Sequence, residues 1–204
     1  MSAVLADIPA NLIIGHAPAK RRMIERLLSG KADKERWAVL DNDATGLALP
    51  ATDTDTDTQL DTLAGGCICC ADVGLRVALT RLLRATRPQR LLLLPSAQAR
   101  IPEVLRLLSD RWLAPVLDLR ATIAVLDAAH PGLTATDDER EALGHVQIVA
   151  LEVQGATEAQ IAEARDILAG AAPQAKLVLI RGGDLDARLL EQAGAPVRAR
   201  FASG

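Results

Sequence analysis

Gly65-Gly66-Cys67-Ile68-Cys69-Cys70 opens the stretch that decides the fold, and Val73 to Leu83, Arg87-Pro88-Gln89-Arg90 and Leu91 to Leu94 complete it. Val73, Val77, Leu79, Leu82 and Leu83 recur at helical spacing, so the cysteine turn leads into a helix N-terminus. Arg87 to Arg90 is a turn. The wholly apolar run Leu91 to Leu94 has the pattern of a central parallel strand, buried on both faces. All three cysteines of the chain fall in the one turn. Free cysteines behave as small hydrophobes and usually scatter singly through a core. Thiolates at i, i+2 and i+3 instead converge on one soft ion, with Zn²⁺ the usual occupant and Cu(I) chemically admissible. Cys67, Cys69 and Cys70 are therefore the candidate metal ligands, and a redox pair or packed core thiols are the alternatives. Backbone N–H groups at the start of the following helix favour the thiolate form.

Working outward, apolar runs recur at the spacing of a layered α/β domain. Asn11 to Ile14 reads as a buried strand, and Lys20 to Leu28 as a helix with Met23, Ile24, Leu27 and Leu28 inward. Trp37 to Leu40 is a second strand, followed by Asp41-Asn42-Asp43. On the other side, Ile101 to Leu108 is helical, Ala121 to Asp127 a strand and Ala128-Ala129-His130-Pro131-Gly132 a loop. Val146 to Val153 is a strand, Glu158 to Leu168 a helix, Lys176 to Ile180 a last strand and Asp184 to Gln192 a short helix. Strands alternating with helices imply a mainly parallel sheet covered on both faces. The expected architecture is a three-layer α/β sandwich in one domain spanning 1–204, with a flexible loop at about 44–64 and a tail at about 193–204. Ligands in such sheets bind at the carboxyl ends of strands. The cysteine turn and the loops after Ile14, Leu40, Leu94 and Val153 are thus candidates for one shared edge.

The acidic run Asp53, Asp55, Asp57 has the spacing of the first EF-hand ligands. The loop fails where it must turn and close, with Thr58 in place of Gly and Ala64 in place of Glu, so it reads as a solvated low-complexity segment.

With 204 residues, half of them hydrophobic, the chain is long enough to bury one core, and at 1% aromatic content that core is aliphatic. The net charge of −3, with basic residues interleaved among acidic ones, argues against nucleic acid or an anionic membrane as the main partner. No apolar run approaches the ~20 residues that cross a bilayer, and Met1 to Ala10 lacks the basic start of a secretory signal. Three clustered cysteines argue for a reducing compartment, and the expected location is the cytoplasm.

These residues carry a family resemblance. Gly66-Cys67-Ile68-Cys69-Cys70, then a helix, an Arg-Pro turn, Leu91 to Leu94 and Pro95-Ser96, resembles the CobW-type metal-chaperone P-loop GTPases, which carry a Gly-Cys-x-Cys-Cys metal motif inside the GTPase domain. Leu12 to Leu28 sits where that family has its P-loop, Trp37 to Asp43 resembles its switch segment, and Thr122 to His130 resembles its Val-Asp-Ala-x-His strand end. The resemblance covers about residues 10 to 185 and implies a P-loop NTPase fold, a soft divalent metal, GTP and a metal-recipient protein. The family's C-terminal domain is expected to be missing.

The departures are systematic. A P-loop needs glycines so that amides can wrap phosphates, a Lys for the outer phosphates and a hydroxyl for Mg²⁺. Gly15-His16-Ala17-Pro18-Ala19-Lys20-Arg21-Arg22 keeps one glycine and the Lys, while Arg21 and Arg22 stand where the hydroxyls belong. Leu94 replaces an acidic residue of the family and Ala97 a phosphate-sensing glycine. The guanine-reading segment falls at Glu152-Val153-Gln154-Gly155, without its carboxylate. Hydrogen bonds to charged groups contribute about 1.5 to 3 kcal/mol each, so the missing carboxylate alone weakens guanine binding roughly tenfold or more.

The first expectation is thus a metal-binding CobW-like protein with no catalytic residues and lost GTPase activity, serving metal homeostasis or delivery. Lys20, Arg21 and Arg22 are candidate anion or phosphate contacts, or else a basic solvated first turn. Asp43, His16, His130 and, less so, His145 are candidates to complete the metal site, and Asp127 reads as a structural strand-end carboxylate. The alternatives are a working GTP- or ATP-dependent metallochaperone with an atypical P-loop, a non-enzymatic partner of an active GTPase, and a thiol redox protein.

Overall fold

Asn11 to Ile14 lies within β1 (Ile8–Gly15), the strand about which the sheet is built. The computed structural model describes residues 7–43, 45, 47, 57–62, 68, 72–130, 136–182 and 185–194. After β1 come α1 (Ala17–Gly30), β2 (Trp37–Asp41), β3 (Thr58–Thr62), α2 (Asp72–Thr86), β4 (Arg90–Leu94) and α3 (Ile101–Leu108). The remainder comprises β5 (Leu117–Leu119), β6 (Ile123–Asp127), α4 (Asp137–Leu143), β7 (Ile148–Glu152), α5 (Glu158–Ala171), β8 (Lys176–Ile180) and a 3-10 turn, Ala187–Glu191.

The strands form one sheet in the order β3-β2-β4-β1-β6-β7-β8, with β5 beside the first residues of β1. Every strand pair is parallel. All strand carboxyl ends therefore meet at one edge, and the chain leaves β1 with β4 on one side and β6 on the other, the kind of reversal in strand order where α/β sheets place their ligands.

Alternation along the strands separates two cores. Leu12, Ile14, Leu91 and Leu93 face the layer made by α2, α3 and α5. Ile13, Leu92 and Leu94 face Met23, Ile24, Leu27 and Leu28 of α1. This is the three-layer α/β sandwich of P-loop NTPases, and Leu91–Leu94 is fully buried as its composition requires.

Five elements differ from the sequence reading. Thr58–Thr62 is a parallel edge strand rather than part of a polar loop: Thr-Gln-Leu-Asp-Thr has no apolar run because the edge position leaves it half solvated. β5 is three residues long and α4 is a polar helix with only Leu143 buried, too little apolar patterning to announce either. The inner face of α2 is made by Leu75, Ala78, Leu79, Leu82 and Leu83, whereas Val73 and Val77 stand outward, 75% and 61% exposed. The short helix expected at Asp184 to Gln192 is the 3-10 turn. Among the described residues, no helix is long and apolar enough to cross a membrane.

Candidate functional site

The site begins at Gly15, where β1 passes into α1 with φ +114°. A Cβ at this position would lie 2.0 Å from the carbonyl oxygen of Val125 in β6, so glycine is required both by conformation and by the approach of the neighbouring strand. His16 follows, its N–H donating to that same Val125 carbonyl at 3.3 Å. Pro18 falls in the first turn of α1, where a missing N–H costs nothing, and Lys20 N–H closes the first helical bond to His16 O at 2.9 Å.

Lys20 points under the strand edge and is fully buried. Its Nζ donates to Pro95 O at 3.1 Å and lies 2.5 Å from Asp43 Oδ2. Asp43 Oδ1 in turn accepts Ala97 N–H at 2.9 Å. One carboxylate thus ties the first turn of α1 to the loops after β2 and β4. Burial pushes the Lys20 pKa down, and Asp43 opposes that by hydrogen bond and charge. Asp43, a candidate oxygen ligand for metal on sequence grounds, is committed to this pair. Its neighbour Asn42 donates N–H to Leu94 O at 2.8 Å, and Asn42 Oδ1 accepts the N–H of Ile68 at 3.0 Å. Ile68, the middle residue of the cysteine turn, is fully buried in the core beneath. Cys67, Cys69 and Cys70 themselves lie outside the described residues.

Arg21 and Arg22 diverge from Lys20. Arg21 pairs with Glu25 one turn along the exposed face of α1, 2.8 Å away. Arg22 crosses to the ends of β6 and β7: its Nε donates to Glu152 Oε2 at 2.8 Å, and its Nη2 donates to Asp127 Oδ2 at 3.1 Å and to Glu152. Arg26 adds a bond to Glu152 Oε1 at 3.0 Å. The hydrogen bond from Arg22 to Glu152 is the main cause that raises the Arg22 pKa. Asp127 also accepts Ala129 N–H at 2.9 Å, the strand-end role its position suggested. Glu152 is the residue the sequence reading missed as a partner. A nearly buried carboxylate ending an otherwise apolar strand was the available signal.

Above the loop lies a cavity of about 300 Å³ with mainly apolar walls, reached past His16, Lys20, Asp43, Ser96 and Ala97. His16 and His130 meet at its mouth, ring centroids 4.4 Å apart and tilted by 30°. Burial first, then the charge of His130, lowers the His16 pKa, while Glu139 and Asp127 act the other way. His16 Nδ1 and Ser96 Oγ are buried there with no hydrogen-bond partner among the described residues. His145 sits elsewhere, in the turn after α4, with its carbonyl accepting Gln147 Nε2 at 3.0 Å. Among the described residues no group of three or more His, Cys, Asp or Glu side chains is arranged to hold a metal ion.

The edge, the glycine turn and the lysine in the first turn of α1 are the frame of a nucleotide-binding domain, and the nucleotide-binding domain of the CobW/HypB/UreG family matches residues 18–163. The chain belongs to this family. Over 120 residues, 57% of the chain, it is 37% identical to the zinc chaperone YeiR of Escherichia coli strain K12. The match takes in 37% of that protein's length. The fold agrees with that of Zn(II)-bound YjiA GTPase from E. coli, with a TM-score of 0.69 over 90% of this chain and 61% of that one at 17% identity. A Zn(II)-bound triple mutant of YjiA superposes equally well, with a TM-score of 0.69 at 18% identity. The chain thus spans a little over a third of YeiR's length and about three fifths of YjiA's. What is matched is thus the nucleotide-binding domain of the family, and one relative of that domain is a zinc chaperone.

Proposed function

We propose that this chain is a zinc-binding member of its family whose nucleotide loop is closed by its own side chains. It carries metal in the cytoplasm without hydrolysing GTP. Zinc, or a similar soft divalent ion, is the cargo, held by Cys67, Cys69 and Cys70 with a fourth position taken by water or by a recipient protein. Clustered thiolates repel one another until a cation is present, so zinc binding releases protons and weakens on acidification. YeiR is a zinc chaperone and the YjiA structure is Zn(II)-bound, which supports this cargo. Ile68, which stands between the cysteines in sequence, has its side chain buried and its N–H held by Asn42.

The observation that carries the nucleotide half of the reading is the Arg22–Glu152 pair. Arg22 replaces a hydroxyl position of the loop, Glu152 falls in the base-reading segment, and these two departures satisfy each other. Glu152 is held by two guanidiniums, so Arg22 is committed to that carboxylate rather than to a phosphate. The test is zinc content after purification without chelator: the wild type carries stoichiometric zinc and the Cys67→Ser, Cys69→Ser, Cys70→Ser variant carries none. Full zinc in the triple variant would refute the metal assignment.

A second reading, a nucleotide-dependent metallochaperone with an atypical loop, is favoured by the positive φ of Gly15 and by Lys20 in the first turn of α1. Calorimetry with a non-hydrolysable GTP analogue and Mg²⁺ decides: no heat and no thermal shift at millimolar nucleotide removes it.

A further inference from the structure

The donors around Asp43 are those of a phosphate site. Lys20 Nζ lies 2.5 Å from one carboxylate oxygen, and the backbone N–H of Ala97 donates to the other at 2.9 Å. The ammonium is fully buried at the start of a helix that follows a glycine turn with φ +114°. In nucleotide-binding loops a lysine so placed, helped by backbone amides, holds the outer phosphates, and the terminal phosphate orders the switch loops. Here Asp43 after β2 and, through it, Ala97 after β4 are already tied to Lys20, and the anion that ties them belongs to the chain. An aspartate has only two oxygens, and two polar atoms lining the same cavity, His16 Nδ1 and Ser96 Oγ, are buried without partners among the described residues. They are spare capacity for the additional oxygens of a larger anion.

We propose that the Asp43 carboxylate occupies, from within the chain, the place of a terminal phosphate, and that removing it uncovers a binding site for a phosphate or pyrophosphate anion. The chain's own carboxylate thus holds Ala97 and Lys20 together where a bound nucleotide would. Asn42 beside it accepts Ile68 N–H, so Ile68 is tied to the same assembly. The proposal rests on the reading of the loop as closed to nucleotide and is independent of the metal.

The experiment measures the Tm of the metal-free full chain against inorganic pyrophosphate, for the wild type, Asp43→Ala and the double variant Lys20→Met, Asp43→Ala. The Asp43→Ala protein melts lower than the wild type and gains about 5 °C or more at pyrophosphate a hundredfold above Kd. The wild type and the double variant, lacking either the vacancy or the cation, do not respond. An Asp43→Ala protein that melts lower but ignores pyrophosphate would overturn the proposal, leaving Lys20–Asp43 as an ordinary structural pair. So would a double variant that gains as much. Should Asp43→Ala not fold alone, refolding in pyrophosphate recovers it. Failure to refold there, while the double variant folds, counts against the proposal equally. GTP binding by the wild type would instead remove the closed-loop reading beneath it, so the two failures are distinct.

Discussion

Lys20 is an ammonium without water. Its side chain is 1% exposed, its partner Asp43 only 9%, and among the described residues that carboxylate and the Pro95 carbonyl replace its hydration. Removing one member of a buried pair leaves an uncompensated charge, which costs about 3 to 5 kcal/mol. Asp43→Asn is predicted to lower the stability of the chain by about 3 kcal/mol, read from the shift in its urea midpoint. Adding Lys20→Met to it restores part of that loss, because the charge that lacked a partner is gone. His16 gives a pH signature. Burial and His130 hold its pKa below 6.5, with Glu139 and Asp127 acting the other way and Lys20 reinforcing the shift. The unfolded chain therefore takes up this proton first as the pH falls. Stability is complete above the unfolded value and is lost as the pH drops from there toward the folded one. In metal-free protein, His16→Gln is predicted to flatten the fall in Tm between about pH 6.5 and pH 5. A slope equal to that of the wild type would contradict the burial account. None of these partnerships was legible in the sequence. Lys20 read as an anion contact or as part of a basic solvated turn, and Asp43 as a candidate metal ligand, because a side chain's direction depends on which loops the sheet brings beside it.

At the scale of elements, the contact of β1 with β6 leaves no room at Gly15. Gly15→Ala would drive a Cβ into Val125 O, 2.0 Å away, at a φ that L residues avoid. A loss of about 3 kcal/mol or more, seen as a fall of at least about 6 °C in Tm, is the expected result. On α2 the predictions separate the two faces. Leu79→Ala, in the core, should cost about 3 kcal/mol, whereas Val77→Ala, 61% exposed, should be neutral or stabilise by a few tenths through helix propensity. Equal losses at both positions would restore the inner face that apolar spacing alone suggested. That spacing misled because valines 73 and 77 fall four apart, one helical turn, and so mimic a buried stripe. The elements that were readable, Leu91–Leu94 above all, are those whose whole length is apolar and central. β3 and β5 escaped because an edge strand and a three-residue strand carry too little burial to pattern a sequence. α4 did carry a local signal, the capping box Thr136 to Glu139, which the structure shows in full.

Across the whole molecule, the parallel sheet gathers the glycine turn, the switch-like loop after β2, the loop after β4 and the middle of the cysteine turn at one edge, as the alternation of strands and helices implied. Two sets of internal ion pairs fill that edge: Lys20 with Asp43, and Arg22 and Arg26 with Glu152. The departures from the P-loop pattern were visible as single residues. Their mutual satisfaction was not, because Arg22 and Glu152 are brought together only by the packing of α1 against the ends of β6 and β7. The proposed function separates metal from nucleotide, with Ile68 held by Asn42 of the chain itself. The most direct measurement is the zinc affinity of the full chain, taken by competition with a chromophoric chelator, with and without millimolar GTP and Mg²⁺ supplied in amounts that leave free zinc unchanged. The predicted result is one zinc per chain, lost in the triple cysteine variant, with a Kd that does not move when nucleotide is added. A tenfold or greater change in that Kd on adding GTP would contradict it.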